Sequence, residues 1–376
     1  MKMIYLDNAA TTQVCPEAAK TALRLMTENY GNPSSTHGPG RTARDELKSA
    51  RATIASSIGA QPDEIYFTAG GTEGDNWAIQ AGCHLMRHKG RHIISSPTEH
   101  SAVRRMLESM EAQGYEISYI APRADGAIHA EDVISELRQD TVLISLMLVN
   151  NETGAITDIP AISKAIKARR SQALLHTDAV QGYMKIPFTV RNLGADMITI
   201  SAHKLHAPKG TGALYARKGL QLSGMFVGGG QENGRRAGTE NLPGICSFAA
   251  AVAAAKEDRT LHQRLERLNK LTRETLGKTV PEAIFIGDGA AHILCISLPG
   301  YRSEVILNYL DAKGICVSKG SACKKGARSH VLEAMKLPAG VIDGAIRVSF
   351  GRFTSDGDVL TFCSALKEAR DSLAHR

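Results

Sequence analysis

One thiol lies in a strongly basic segment near the end of the sequence. Cys323 is the only cysteine of SKGSACKKGARSH (318–330), where Lys324 and Lys325 follow it and a glycine lies three residues away on either side. Neighbouring cations favour the thiolate, the reactive form of cysteine, and glycines are typical of an exposed loop. The segment is therefore compatible with a nucleophile, although most free cysteines in such loops are unreactive.

A glycine-rich turn leads from an apolar run into a helical pattern. In FTAGGTEGDN (67–76), Gly71 and Thr72 stand where that pattern begins. Small residues let backbone N–H groups approach an anion at a helix N-terminus, and the threonine hydroxyl adds a donor. The stretch indicates a phosphate site, but a tight strand-to-helix turn requires the same glycines.

A lysine and an aspartate each follow an apolar run. Asp178 ends ALLHTD, where helix capping is an equal alternative, and Lys204 stands in SAHKLHAPKG (201–210). A pyridoxal 5′-phosphate site needs a lysine for the aldehyde, an acid for the ring nitrogen and donors for the phosphate, and this sequence offers all three. Zinc bound by His203 and His206 is a weaker alternative, because no acidic or thiol partner stands at ligand spacing.

A histidine follows another apolar run, in SPTEHSAV (96–103). The ring of His100 could stack on a flat cofactor and transfer protons near neutral pH. Most histidines at strand ends only make local hydrogen bonds, so this residue decides nothing by itself.

The elements around these residues follow an alternating pattern. From about residue 60 to 220, the apolar runs EIYFT, HIIS, VLISLMLV, ALLHTDAV, DMITIS and TGALYAR alternate with amphipathic stretches. This alternation predicts an α/β fold with a largely parallel sheet covered by helices on both faces. Ligands of such folds bind at the carboxyl edge of the sheet, where Asp178 is expected.

The remaining sequence predicts a smaller α+β domain. A helical pattern from about Ile245 to Leu276 predicts one long connecting helix, and HILCISL, GICVSKG and AIRVSFG predict strands beyond it. We predict three parts: an N-terminal segment that packs with the small domain (1–15), a large cofactor-binding domain (16–250) and a small domain that carries the Cys323 loop (251–376).

Composition excludes several classes of protein. The 376 residues are 43% hydrophobic and 22% charged, and the longest nearly apolar stretch, ICSFAAAVAAA, is too short to cross a bilayer. The net charge of +7 is spread along the chain and aromatic residues are few, so no nucleic-acid site is predicted. Seven cysteines without framework spacing and a start that lacks a long apolar segment favour the cytoplasm.

Motifs along nearly the whole chain resemble the cysteine desulfurases, a branch of the fold-type-I pyridoxal-phosphate enzymes grouped with the class-V aminotransferases. The motifs stand in the family's order: YLDNAATT (5–12), YGNPSSTHGPGRTAR (30–44), TAGGTEGDN (68–76), TEHSAV (98–103), VNNETG (149–154), HTDAVQ (176–181), SAHKLHAPKG (201–210), GGGQENGRRAGTEN (228–241), GSAC (320–323) and IRVSFGRF (346–353). The resemblance implies a fold-type-I structure, a homodimer and L-cysteine as substrate.

The resemblance also implies roles for the residues in these motifs. Lys204 would hold pyridoxal phosphate as a Schiff base and remove the Cα proton, while His100 would stack on the ring and take part in catalysis. The other cofactor ligands would be Asp178 at the ring nitrogen, Gln181 at the phenolic oxygen, Asn151, and a set of phosphate ligands made up of Gly71, Thr72, Ser201, His203 and, from the second subunit, Thr239. Asn151 and Arg352 would orient the substrate, the arginine by gripping its carboxylate.

The GSAC motif gives Cys323 a role in the same family. Its thiolate would take the sulfur of cysteine as a persulfide, which serves iron–sulfur clusters or other thio-cofactors through a possible acceptor or scaffold protein. Only KKGAR separates Cys323 from SHVL (329–332), a shorter loop than is usual in the GSAC subgroup. Selenocysteine lyase is a near alternative, and another class-V lyase or aminotransferase would need no thiol.

Overall fold

The computed structural model describes residues 3–319 and 328–373. Twelve strands lie within these residues. In chain order they are β1 (Ile4–Tyr5), β2 (Ile65–Thr68), β3 (His92–Ser95), β4 (Glu116–Tyr119), β5 (Thr141–Ser145), β6 (Leu174–Asp178), β7 (Met197–Ser201), β8 (Gly212–Ala216), β9 (Ile284–Ile286), β10 (Ile293–Ser297), β11 (Ile315–Cys316) and β12 (Ala345–Ser349).

Seven of the strands form the main sheet, in the order β2-β8-β7-β6-β5-β3-β4. The neighbours from β7 to β4 are all parallel, and β8 runs antiparallel to both β7 and β2. Buried residues alternate between two cores: Leu174 packs on one face of β6 and Leu175 on the other. This topology confirms the predicted α/β fold with a largely parallel sheet. The strands appear in the sequence as continuous apolar runs because both of their faces are buried.

Thirteen α-helices accompany the strands in the described residues. They are α1 (Pro16–Thr27), α2 (Gly38–Ser57), α3 (Gly71–Met86), α4 (Ser101–Glu111), α5 (Ala130–Glu136), α6 (Ile159–Ala168), α7 (Val190–Leu193), α8 (Leu242–Glu257), α9 (Leu261–Thr279), α10 (Ser303–Ala312), α11 (His330–Ala334), α12 (Ala339–Asp343) and α13 (Asp356–Ser372). None of the described helices is long and apolar enough to span a membrane.

The prediction of a single connecting helix is wrong, because two helices, α8 and α9, occupy this stretch. The break is at Asp258, whose carboxylate accepts hydrogen bonds from Thr260 Oγ1 and Arg264 Nη2, each at 2.9 Å. These side-chain bonds stabilise a turn that apolar periodicity does not reveal. Helix α8 then packs against α1 and α2, whereas α9 packs against α13.

The N-terminal segment joins a second group of strands. Strand β1 pairs in parallel with β11, and β10 lies between β9 and β12 in an antiparallel sheet. Leu6 is buried in the core of this second group. The division at residues 15 and 250 stays a prediction.

Candidate functional site

A cavity of about 360 Å³ opens at the carboxyl edge of the main sheet. Parallel strands end at a shared edge, so residues that follow different strands meet there. Nine of the predicted site residues line this cavity: Gly71, Thr72, His100, Asn151, Asp178, Gln181, Ser201, His203 and Lys204. The structure therefore brings together side chains that the sequence separates by up to about 130 positions.

The amine of Lys204 is held inside the cavity by backbone carbonyls. Its Nζ donates to the carbonyl oxygens of Ala9 and Ala10, at 2.7 and 2.6 Å. Burial, with a smaller contribution from the charge of Arg347, lowers the pKa of Lys204 to about 8, although Asp7 and Asp178 oppose this shift. A lysine with such a pKa has a substantial neutral fraction at moderately alkaline pH, as a nucleophilic amine requires.

Asp178 lies at the end of β6, buried beneath the cavity. Its Oδ1 accepts the backbone N–H of Val180 at 2.8 Å. Burial raises the pKa of Asp178, and the charges of His100 and Lys204 oppose that rise. Because an unpaired buried charge is costly in free energy, a cationic group would stabilise a carboxylate in this environment.

The N-terminus of α3 forms a recess at one side of the cavity. Gly70 precedes it with φ at +154°, and a Cβ on Gly71 would lie 2.9 Å from Val180 Cγ2. Close by, Ser201 Oγ is buried and has no hydrogen-bond partner among the described residues. Backbone N–H groups at a helix N-terminus and an unused hydroxyl suit a phosphate group, so these residues fit pyridoxal phosphate.

The two histidines around Lys204 bind the N-terminal segment and form no metal cluster within the described chain. His203 Nδ1 lies 3.2 Å from Thr11 Oγ1, and His206 Nδ1 lies 2.8 Å from the carbonyl oxygen of Gln13. Burial lowers the pKa of each to about 4, so both rings are neutral at physiological pH. The zinc alternative has no support from this geometry.

Two predicted residues do not line the cavity. The guanidinium of Arg352 lies 3.2 Å from Glu17 Oε1 instead, and Thr239 is exposed just before α8. Arg347, in contrast, lines the cavity and is only 3% exposed. Sequence reasoning missed this arginine, although a charged residue within the apolar run AIRVSF is a signal that it needs a buried partner.

The N-terminal segment supplies another part of the wall that sequence reasoning left out. Asp7, Ala9 and Ala10 line the cavity, and Gln181 Nε2 donates to the carbonyl oxygen of Ala9 at 2.8 Å. The backbone carbonyls of this segment therefore hold Lys204 and Gln181 in place together.

Cys323 lies outside the described residues, but both flanks of its segment reach the site. Ser318 and His330 line the cavity. The backbones of Ser318 and Arg347 form an antiparallel β-bridge. On the other flank, the hydroxyl of Ser329 donates to the buried carboxylate of Glu152.

Comparison with known proteins assigns the family. The model of the class-V aminotransferase family matches residues 4–362. A cysteine desulfurase of Trichormus azollae is 40% identical over 372 residues, which cover 96% of this chain and 90% of that protein. The cysteine desulfurase IscS of Methanosarcina thermophila is 40% identical over 364 residues, which cover 95% of this chain and 89% of that protein. A solved structure titled NifS-like protein aligns with a TM-score of 0.93 at 33% identity, over 99% of this chain and 100% of that one. The chain therefore belongs to the class-V aminotransferase family and, within it, to the cysteine desulfurases.

Proposed function

We propose that this protein is a pyridoxal-phosphate-dependent cysteine desulfurase that converts L-cysteine to L-alanine and keeps the sulfur as a persulfide on Cys323. The observation that carries this proposal is the placement of the Lys204 amine and the Asp178 carboxylate in one cavity beside the N-terminus of α3. The identity to cysteine desulfurases over almost the whole chain supports the choice of substrate.

The residues of the cavity divide into ligands for the parts of the cofactor. Lys204 would bind the aldehyde carbon, Asp178 the ring nitrogen and Gln181 the phenolic oxygen, with His100 against the ring. Gly71, Thr72, Ser201 and His203 would bind the phosphate. When bound, the cofactor supplies an electron sink for the charge that develops on the substrate Cα.

Lys204 also acts as the general base. Its Nζ, neutral in part because the pKa is about 8, takes the proton from the substrate Cα and later returns a proton to the alanine product. The carbonyls of Ala9 and Ala10 accept hydrogen bonds from the amine and fix its position.

Arg347 is better placed than Arg352 to bind the substrate carboxylate. It lies in the cavity wall, where Nη1 donates to the carbonyl oxygen of Asn151 at 2.8 Å and Nη2 lies 2.7 Å from Asp7 Oδ1. These two contacts orient a guanidinium that a carboxylate can approach, as arginine side chains commonly allow. The role first predicted for Arg352 is therefore proposed for Arg347.

Sulfur transfer needs a thiolate, which we assign to Cys323. Its sulfur attacks the sulfur of the substrate, so that an S–S bond forms and the Cβ–S bond breaks. The substrate carbon skeleton leaves as alanine after protonation, and the protein retains the persulfide. Cysteine and one protein thiol are thus converted to alanine and one protein persulfide.

The assembly and location complete the proposal. We propose a homodimer in which Thr239 of each subunit completes the phosphate site of the other, and transfer of the persulfide sulfur to an acceptor protein. Thr239 is exposed, as a residue that contacts another subunit must be in the single chain. The six described cysteines are free thiols, which fits a reducing cytoplasm.

The deciding experiment follows alanine and persulfide in one single-turnover reaction. The protein loaded with pyridoxal phosphate should form alanine from L-cysteine and one persulfide per chain, on the peptide that contains Cys323. Cys323→Ser should form neither, and the matched variant Cys316→Ser should form both. A persulfide on Cys316, or alanine release by Cys323→Ser, contradicts the proposal.

A further inference from the structure

A second carboxyl group lies beside Asp178, and the mechanism above gives it no role. Asp75, on the first turns of α3, lines the bottom of the cavity and is only 1% exposed. One oxygen of Asp75, one oxygen of Asp178 and one ring nitrogen of His100 all lie within 4.8 Å of one another. The Oδ1 atom of Asp75 has no hydrogen-bond partner among the described residues.

Two carboxyl groups so close together in a buried site will not both be ionised, because each charge raises the free energy of the other. Asp178 is the better site for the charge, since it accepts the N–H of Val180 and faces Lys204. Asp75 lies deeper. Burial and then the charge of Asp178 raise the pKa of Asp75 well above its usual value, although a hydrogen bond with Thr199 opposes the shift.

His176 does not supply a compensating cation. Its Nε2 is 3.7 Å from Asp75 Oδ1, too far for a hydrogen bond, and its two ring nitrogens contact the hydroxyls of Ser145 and Thr199 at 2.9 and 3.0 Å. Burial lowers the pKa of His176 to about 3, so the ring is neutral. His176 and Asp75 therefore do not form an ion pair.

We propose that Asp75 is a positioning residue that stays protonated and thereby restricts the carboxyl pair to one negative charge, carried by Asp178. This inference rests on the proposed role of Asp178 as partner of the ring nitrogen. An ionised Asp75 would raise the pKa of Asp178 and favour its protonation, and a neutral Asp178 is a weaker partner for a pyridinium. The proton on Asp75 thus preserves the charge on which the cofactor depends.

Titratable groups from three neighbouring segments lie near Asp75. They are His176 and Asp178 of β6, Glu99 and His100 before α4, and Lys204 after β7. Glu99 is also fully buried, and burial raises its pKa. It is therefore the control for any signal from a buried acid.

The primary test is the infrared spectrum of the cofactor-free protein and of the holoenzyme at neutral pH. The carbonyl stretch of a protonated carboxylic acid differs from the bands of a carboxylate and shifts in heavy water. A wild-type minus Asp75→Asn difference spectrum should contain this band, separate from the band that Glu99→Gln removes. Its absence overturns the proposal.

Stability and cofactor binding provide a second readout. An aspartic acid whose pKa is raised by folding destabilises the folded state increasingly as the pH rises above about 4. The unfolding temperature of cofactor-free Asp75→Asn should therefore rise relative to wild type between pH 5 and about pH 7. Cofactor affinity should stay within about threefold of wild type in Asp75→Asn, which keeps the shape and neutrality of the acid. Two results would contradict a protonated Asp75. One is an unfolding temperature of Asp75→Asn that falls relative to wild type as the pH rises, and the other is a loss of cofactor affinity of about tenfold or more in this variant.

A second variant keeps the test decisive if Asp75→Asn does not fold. In Asp178→Asn the neighbouring charge is absent, so the Asp75 band should disappear at lower pH than in wild type. An unchanged titration overturns the proposal. These spectra are recorded without L-cysteine, so failure of the wild type to form alanine would count against the proposed function and not against the proton on Asp75.

Discussion

Arg347 and Asp7 form an ion pair inside the cavity, with Nη2 2.7 Å from Oδ1. The arginine is almost completely buried, whereas one-fifth of the aspartate side chain is exposed. The pair fixes the Arg347 guanidinium beside the proposed substrate position. We therefore assign binding of the substrate carboxylate to Arg347 and not to Arg352, which stands five residues later in the same motif.

We expect Arg347→Lys to raise KM for L-cysteine and Arg352→Lys to leave it nearly unchanged. Charge-assisted hydrogen bonds contribute ~1.5–3 kcal/mol, so the loss of the guanidinium geometry corresponds to a roughly tenfold to hundredfold higher KM. Initial rates over a range of cysteine concentrations measure this. If only Arg352→Lys raised KM, the carboxylate would bind at Arg352 as the sequence motif first suggested.

Lys204→Ala should abolish alanine formation and the near-violet absorbance of the bound cofactor. The matched control is Lys209→Ala, because Lys209 is exposed and does not line the cavity. Borohydride reduction followed by peptide mass spectrometry should locate the cofactor on Lys204 in wild type and in the control. Retained turnover in Lys204→Ala would disprove its role.

The reactivity of Lys204 in the cofactor-free protein should follow a pKa of about 8. The lowered pKa means that the amine loses its charge as the pH rises through this value, so acylation by a small reagent should reach half of its maximum rate near pH 8 and level off about one to two pH units higher. Competitive labelling with mass spectrometry gives the midpoint for this residue. A midpoint near the ordinary lysine value of about 10.4 would show that the amine is not desolvated.

Asp178→Asn should weaken cofactor binding and slow removal of the Cα proton. The amide keeps the size of the side chain but lacks the charge that pairs with a pyridinium, so turnover should fall at least about tenfold. Cofactor titration and the exchange of the cysteine Cα proton in heavy water report the two effects separately. Wild-type exchange at saturating cofactor would exclude the assigned role.

Replacing both Lys324 and Lys325 by serine should move the alkylation profile of Cys323 to higher pH. This prediction rests on sequence, because all three residues lie outside the described part of the chain. Two screened cations shift a thiol pKa by about one unit or less, and the difference should shrink at high salt. An unchanged profile would identify the lysines as solvated surface residues only.

Sequence reasoning can predict the position of a residue that ends or follows a strand of the main sheet. Asp178 and Ser201 end β6 and β7, and parallel strands bring their carboxyl ends together whatever the loops do between them. The same argument cannot place Arg347, which lies inside β12 of the second sheet. Nor can it place Asp7, because the pairing of β1 with β11 involves two residues on each strand and leaves almost no periodic signal.

The attachment of the N-terminal segment has a consequence for biosynthesis. Asn8 Nδ2 donates to the carbonyl oxygen of Ser349, across 341 positions of sequence, and Leu6 N donates to the carbonyl oxygen of Cys316. Ala9 and Ala10, which hold Lys204, are thus fixed by residues that are synthesised long after them. Because such long-range contacts form late in folding, a nascent chain can complete the main sheet well before it can position its lysine. Ribosome-bound chains that end before residue 315 should consequently fold their sheet yet fail to retain pyridoxal phosphate.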